Sequence, residues 1–316
     1  MTTKKFITLN RVCVPLTLQC DLDCSYCYRH AGRIIVPEFN DLMREFLSQL
    51  NPDRTQAVVA SGGEPLLVFD KVKELFSYLP DGVHRKVMTN GLNLTQEIVD
   101  YLNQNNIETY VSHDGDATEK TRGYDVLKDP EINRLVRQIN HLTISCVNTK
   151  YNPNPYDCYL ESKKILGNRH IWFHCNAVFV DKCLNHDLVD GFDYKAFFRG
   201  KAIQKVAQLD WRNPIPLYYR GTNSNVLPNG DIVGMAEIHH KYGTVLDSIE
   251  TIIENQRKWG DRVDCQCKEC YAFNDTCVEH GHYKSDHYCN ITKGLANLRG
   301  VIRLIEEFSD ENRYDF

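Results

Sequence analysis

No stretch of this 316-residue chain is apolar for anything near the ~20 residues that a bilayer-crossing helix needs. The start, Met1 to Leu9, carries two lysines but no long apolar core, so it does not read as a secretory signal. Excess positive charge is missing too. The 37 Lys and Arg stand against 42 Asp and Glu, a formal charge of −5, so no bulk field argues for nucleic acid or an anionic membrane. Low-complexity segments and long linkers are absent. These absences predict a cytoplasmic globular protein without membrane or nucleic-acid partners. Its 42% hydrophobic and 25% charged content is ordinary for that class, and its length suits one large domain plus a smaller one.

Cysteine is not scarce: there are 13. Without a secretory signal, a disulfide framework is not expected. The cysteines also cluster, three at 20–27 and five at 265–289, and clustering points to ligation. The first group, Cys20, Cys24 and Cys27, has the spacing C-x3-C-x2-C and follows the apolar run Val14-Pro15-Leu16-Thr17-Leu18. Tyr26 stands just before the last thiol. The loop holds no fourth cysteine; Cys13 precedes the apolar run and the next downstream is Cys146. Three thiolates on one loop can wrap an iron–sulfur cube and leave one iron open. A zinc knuckle with His30 as fourth ligand is the alternative on spacing alone.

Between residue 14 and about 180, strand-like runs alternate with helical ones. The strand candidates are 15–20, 56–60, 86–89, 108–112, 142–149 and 171–180, rich in β-branched and aromatic residues. The helix candidates are 38–50, 69–79, 94–104, 130–139, 156–166 and 194–208. Asp129-Pro130 reads as N-cap and first helical position, and Pro37 stands ahead of the first helix. Such alternation predicts an α/β fold with right-handed crossovers and a parallel sheet. Six units are two short of a closed eightfold barrel, and a partial (β/α)6 TIM-type barrel is the fold that the motif resemblance below implies for them. Pro214 and Pro216 mark the expected boundary, dividing the chain into 1–212 and a smaller domain, 213–316.

Barrel chemistry gathers at the C-terminal ends of strands. The first strand ends in the cysteine loop, and the second in Ser61-Gly62-Gly63-Glu64-Pro65, where glycines let backbone approach a ligand and Glu64 supplies an acceptor. The third ends in Thr89-Asn90-Gly91, and the fourth in Ser112-His113-Asp114-Gly115, followed by Arg122-Gly123. Each is a common turn sequence by itself. Together, in this order, they resemble the signature of the radical S-adenosylmethionine (radical SAM) superfamily, whose core is a six-unit open barrel. The resemblance implies a 4Fe–4S cluster on Cys20, Cys24 and Cys27, with the SAM amino and carboxylate groups on the open iron. It implies SAM contacts from Tyr26, Gly62, Gly63, Glu64, Thr89, Asn90 and Ser112. Arg134 and Arg137 are candidates for the SAM carboxylate, or solvated surface charges.

The second cysteine group follows a hairpin-like stretch, Leu227 to Met235 and Gly243-Thr244-Val245. It resembles the SPASM/twitch extension of radical SAM enzymes, with departures. Met235 stands where a cysteine is expected, the gap after Cys270 is six residues, and His280-Gly281-His282 replaces a further cysteine position. The resemblance then implies one auxiliary 4Fe–4S cluster, on Cys267, Cys270, Cys277 and Cys289, with Cys265 a possible substitute. Zinc on the same residues is the alternative, a site that would pin the tail but carry no electrons. Residues 295–308 have helical spacing and read as a docking helix.

The activity implied by the resemblance is one-electron cleavage of SAM to methionine and a 5′-deoxyadenosyl radical, which takes hydrogen from a substrate C–H bond. The motif set is similar to that of maturases of ribosomally made peptides and proteins, which crosslink, epimerise or oxidise side chains. A dehydrogenase or dehydratase of a sugar or nucleoside is the alternative, and the early first strand, with no peptide-docking domain before it, weighs against a leader peptide. The implied partner is a one-electron donor such as flavodoxin or ferredoxin. Cys183 and Cys175 are candidate hydrogen donors to a substrate radical, or else buried small apolar residues. Aromatics at 151–159 and 218–219 line a cavity or pack a core. The non-enzyme alternative is a zinc-stabilised binding module.

Overall fold

A computed structural model describes residues 5–27, 36–152, 155–177, 223–234 and 241–259. Six strands, each followed by a loop or helix, run parallel: β1 (Arg11–Thr17), β2 (Ala57–Gly62), β3 (His84–Thr89), β4 (Glu108–Ser112), β5 (Leu142–Asn148) and β6 (Trp172–Ala177). They neighbour one another in sequence order, so the sheet is built from consecutive parallel units joined by crossovers. This is the expected half-barrel arrangement. Each strand falls on or within a few residues of its expected run; β1 starts and stops earlier, and the expected extension of β6 past 177 lies outside the described residues.

Most of the helices between these strands bury one apolar stripe, and three of them start at a capping side chain. In α1 (Asp41–Ser48) the Asn40 side chain accepts from Met43 N, and Met43, Phe46 and Leu47 are buried. Burying each of those side chains is worth roughly 1.5–3 kcal/mol. Helices α2 (Phe69–Ser77) and α3 (Gln96–Gln104) repeat the buried stripe, and Thr95 caps the latter. Next comes α4, one short turn at Thr118–Arg122 that ends at Gly123 in the left-handed region. In α5 (Pro130–Val136) Asp129 caps two backbone amides ahead of Pro130, as its sequence predicts. Finally α6 (Pro155–Ile165) covers β5 and β6. The expected helix 194–208 lies outside the described residues.

Strand alternation sorts the barrel residues onto two faces. Val87, Val111, Ile144, Phe173 and Cys175 join the core between sheet and helices. Met88, Tyr110, Ser112, Ser145 and His174 alternate with them and face the bore. Near the N-terminal end of the strands, Lys86 pairs with Glu108 at 2.7 Å, and Thr143 donates to the same carboxylate at 2.8 Å. Burial pushes the Glu108 carboxyl up, but Lys86 and the hydrogen bonds outweigh it and hold it below the usual range.

Beyond β1 the sheet continues with β7 (Asn223–Val226), parallel to β1, then antiparallel β8 (Asp231–Val233) and β9 (Lys241–Thr244), giving nine strands among the described residues. The last described element, α7 (Ile249–Trp259), follows β9. The expected hairpin thus extends the barrel sheet at its β1 edge. The boundary at 212/213, the cysteines at 265–289 and the helix expected at 295–308 all lie outside the described residues. Among the described residues no helix is long and apolar enough to cross a membrane.

Candidate active site

The C-terminal ends of β1 to β5 converge on the cysteine loop through two buried carboxylates. Asp114, at the end of β4, has no exposed surface and accepts five hydrogen bonds. Tyr26 of the cysteine loop donates its hydroxyl to Oδ2 at 2.6 Å. Thr121 Oγ1 and Arg122 Nε reach the same oxygen, each at 2.8 Å. Arg122 Nη2 donates to Oδ1 at 3.1 Å, and Val147 N at the end of β5 donates to it at 2.8 Å. The Arg122 guanidinium also lies 5.4 Å from the centre of the Tyr26 ring. Burial alone would weaken the charge on Arg122, but Asp114 outweighs it and raises its pKa above the ordinary value. A backbone bond, Ser25 N to Thr121 O at 2.8 Å, completes the fastening of the loop to α4.

Glu64, after β2, is the second carboxylate, also fully buried. Its Oε1 accepts from Leu66 N and Thr89 Oγ1, and its Oε2 accepts from Asn90 N at 2.7 Å. Glu64 therefore bolts the end of β2 to that of β3. No cation sits among these partners, so burial dominates and pushes its carboxyl up to about 7. Asn90 passes the connection on to the cysteine loop: its Nδ2 donates to Asp21 Oδ1 at 2.5 Å and lies 3.8 Å from Cys20 Sγ. Asn93 donates to the other Asp21 oxygen at 2.6 Å.

The two glycines of the β2 turn do something their sequence does not announce. A Cβ on Gly62 would stand 2.1 Å from Thr17 O, and one on Gly63 2.2 Å from Gln19 O. Gly62 also holds φ +132°, a glycine conformation. Their bareness lets the β2 turn press against the exit of β1, with Gly63 N bonded to Thr17 O at 2.7 Å and Glu64 N to Gln19 O at 2.8 Å. What approaches these glycines is therefore the backbone that feeds the cysteine loop.

Cys20, Cys24 and Cys27 are free thiols, partly exposed, on this fastened loop. Burial pushes the Cys24 thiol up to about 11 and raises Cys20 as well, so iron binding there would release the protons of these thiols. Among the described residues no three His, Cys, Asp or Glu side chains converge as the ligands of one metal ion would. A cube differs from a single ion in that its thiolates bind separate irons and stand apart. Three free thiols on one braced loop, with an amide N–H donor directed at one sulfur, are a donor set that fits such a cluster.

Residues 14–143 match the family model of the radical SAM superfamily. The chain carries a radical SAM domain. Its fold is similar to that of anSMEcpe in a structure with bound AdoMet and the Cp18Cys peptide, at 17% identity and TM-score 0.59, covering 96% of this chain and 99% of that one. It is also similar to Streptococcus suis SuiB bound to its precursor peptide SuiA, at 16% identity and TM-score 0.61, covering 89% and 74%. An uncharacterised protein of Methanocaldococcus jannaschii is 24% identical over 112 residues, 34% of this chain. That match spans only 39% of the relative's own length.

Of the expected SAM contacts in this radical SAM domain, Tyr26, Glu64, Thr89 and Asn90 are brought to one end of the sheet, but as fasteners bonded to one another or to neighbouring loops. Ser112 faces the bore, in register with Ser145, which in turn pairs with His174. Arg134 reaches Gln96, and Arg137 reaches Asn133 and the Ile165 carbonyl, so both serve helix contacts. Cys175 is fully buried in the core, in register with Cys146 and near Cys158 of α6. It lies on the helix side of β6, away from the bore, and is not placed to donate hydrogen there; Cys183, the auxiliary-cluster cysteines and His30 lie outside the described residues. Asp114, Arg122 and Asp21 are the functional residues that sequence reasoning passed over. All three stood inside or beside the quoted motifs, and nothing in their spacing marks them as the groups that meet.

Proposed function

We propose that this chain reductively cleaves S-adenosylmethionine and uses the resulting 5′-deoxyadenosyl radical to take hydrogen from a C–H bond of a ribosomally made peptide or protein. The observation that carries this reading is the fastening of the Cys20–Cys27 loop to the ends of β3, β4 and β5 by Asp21, Asn90, Asp114 and Arg122. Cys20, Cys24 and Cys27 would hold the cluster. When bound, the cluster supplies one electron to the sulfonium of SAM, breaking a C–S bond to give methionine and the radical. The residues around it contribute order. Asp114 and Arg122 hold Tyr26 and the loop backbone, Asn90 directs an N–H toward Cys20, and Ser112 and Ser145 present hydroxyls to the bore. The peptide class is favoured by two structurally similar proteins, one bound to AdoMet and a peptide and the other to a precursor peptide. We extend the reading to one auxiliary 4Fe–4S cluster on Cys267, Cys270, Cys277 and Cys289, and to a reduced carrier protein as the electron source.

Anaerobic reconstitution followed by SAM and dithionite tests this. The wild type should form 5′-deoxyadenosine and Cys24→Ala should not; continued formation in that variant would remove the first loop from the mechanism. Iron content near eight per chain supports two clusters, and near four rejects the auxiliary one. A peptide encoded beside this gene should change mass on incubation with enzyme and SAM. An unchanged peptide together with a modified sugar or nucleoside would overturn the substrate class.

A further inference from the structure

Cys20 receives help from a distant strand end. Asn90, 8% exposed after β3, holds its Nδ2 2.5 Å from Asp21 Oδ1 and 3.8 Å from Cys20 Sγ. An amide nitrogen carries two N–H bonds, so one serves the carboxylate and the other the sulfur. The direction of that amide is settled twice over. Its oxygen accepts from Leu92 N at 2.9 Å, and the Asp21 carboxylate can only accept. A second donor comes from the loop itself. Burial raises the Cys20 thiol, and the Leu22 backbone N–H and the Asn90 N–H, both directed at its sulfur, pull against that rise.

Asp21 stands between these two donors. It follows Cys20 and precedes Leu22 in the chain, and both of its oxygens are engaged, Oδ1 by Asn90 and Oδ2 by Asn93 Nδ2 at 2.6 Å. Two amides from the turn after β3 thus clamp one carboxylate of the cysteine loop. The clamp works in the other direction too. Without Asp21 the Asn90 N–H2 loses the acceptor that sets its aim, and only the Leu92 bond to its oxygen still holds the side chain.

We propose that Asp21 is a positioning residue that aims the Asn90 N–H at Cys20 Sγ and so makes a cluster on Cys20, Cys24 and Cys27 easier to reduce. This rests on the radical SAM reading above. Reduction adds one electron, and the added negative charge spreads onto the ligand sulfurs, where an N–H donor is worth more than before. The charge of Asp21 pulls the other way, because a carboxylate beside the cluster opposes added negative charge. The two effects separate because only the first needs Asn90.

The test is a cycle of four full-length proteins, reconstituted anaerobically: wild type, D21L, N90L and D21L/N90L. Redox titration without SAM, read by low-temperature EPR, gives the potential of the signal that SAM perturbs in the wild type, which separates the Cys20–Cys27 loop from any auxiliary centre. N90L should lower the reduced-to-oxidised ratio at fixed poise at least ~3-fold, or ~28 mV at ~59 mV per tenfold for one electron. With Asn90 absent, D21L removes only a charge and should raise the ratio. With Asn90 present it also removes the aim, so its effect should lie at least ~3-fold below its effect in N90L. A merely structural role would change iron content without this coupling. A smaller coupling, or an N90L potential at or above wild type, overturns the proposal and leaves the radical SAM reading standing. Should the leucine variants lose iron, D21A and N90A run the same cycle; loss of iron there too overturns the proposal, because the pair would then serve retention alone. Wild-type protein that holds no iron at Cys20, Cys24 and Cys27 overturns the reading itself, and the proposal with it.

Discussion

Replacing Asp114 by Asn probes the fastening of the cysteine loop directly. The native carboxylate takes five donors, two of them from a buried guanidinium. Asn keeps the shape but offers one acceptor oxygen and turns an N–H2 toward groups that are themselves donors. If its oxygen keeps Tyr26, Thr121 and Arg122 Nε, the amide opposes Val147 N and Arg122 Nη2; if reversed, it opposes three donors. Either way Arg122, 7% exposed, loses its counter-charge. Breaking a buried pair from one side costs ~3–5 kcal/mol, a large share of the ~5–15 kcal/mol by which domains are stable. The cost falls where Tyr26 leaves the loop, so iron retention should suffer more than the fold. Urea unfolding gives the first quantity, and iron and sulfide counts after anaerobic gel filtration give the second. Arg122→Met should be comparably damaging alone, and the double variant D114N/R122M should cost clearly less than the sum, because no charge is left unpaired. A loss below ~1 kcal/mol in D114N with full iron retention, or strict additivity in the double variant, would refute the account.

Three further outcomes follow from other parts of the same end. The carboxyl of Glu64 is raised to about 7 from an ordinary 4.5, so the folded state binds the extra proton between those values. Stability should then fall as pH rises from about 4.5 to 7 and level off above, by roughly 3 kcal/mol in all. Thermal melts of the SAM-free protein from pH 5 to 8 should show that slope in wild type and lose it in Glu64→Gln; an unchanged slope would clear Glu64 of the effect. Gly63→Ala brings a methyl to 2.2 Å from Gln19 O and should cost ~2–4 kcal/mol with reduced iron loading, read by melting and iron assay; wild-type values would mean the two turns separate without penalty. Cys175→Ala, in the core behind β6, should cost ~1 kcal/mol in urea unfolding and leave the modified product unchanged; loss of product at full SAM cleavage would return Cys175 to the chemistry.

The six barrel strands, the helix pattern and the end of the sheet that carries the motifs were legible because each rests on local rules. Asp129-Pro130 starts α5 and Gln96–Gln104 repeats apolar residues at helical spacing, and neither depends on anything distant. The edges of β1 were less legible. Arg11 to Val14 is held by pairing with β2 and β7, which come 46 and more than 200 residues later. The same limit applied at the site. Val147 N and Tyr26 Oη meet on Asp114 from strands far apart in sequence, so no spacing rule announces their meeting. Cys175 looked like a strand-end cysteine, and only the alternation along β6 assigns it to the helix side.

The two buried carboxylates show why motifs that read as ligand contacts serve here as fasteners. A turn that must hold an iron–sulfur loop cannot rely on apolar packing, because the loop itself is half-exposed and short of apolar side chains. Directional bonds to a buried acceptor do that work, and an acid can take the three donors found at Glu64 or the five at Asp114. The two sites meet the cost of burial differently. Asp114 is matched by Arg122, so the wall formed by β4, α4 and β5 carries a buried charge pair. Glu64 has only neutral donors and gains or loses its proton near pH 7. As it ionises, its bonds to Thr89 and Asn90 become charge-assisted and shorter, which tightens the link that ends at Asp21 and Cys20 even as the whole fold loses stability. Global stability and local order at the cysteine loop should therefore move in opposite directions between pH 6 and 8. Hydrogen exchange of the Asn90 amide set against the global melt would measure that divergence; parallel movement would mean that the carboxylate does not brace the loop.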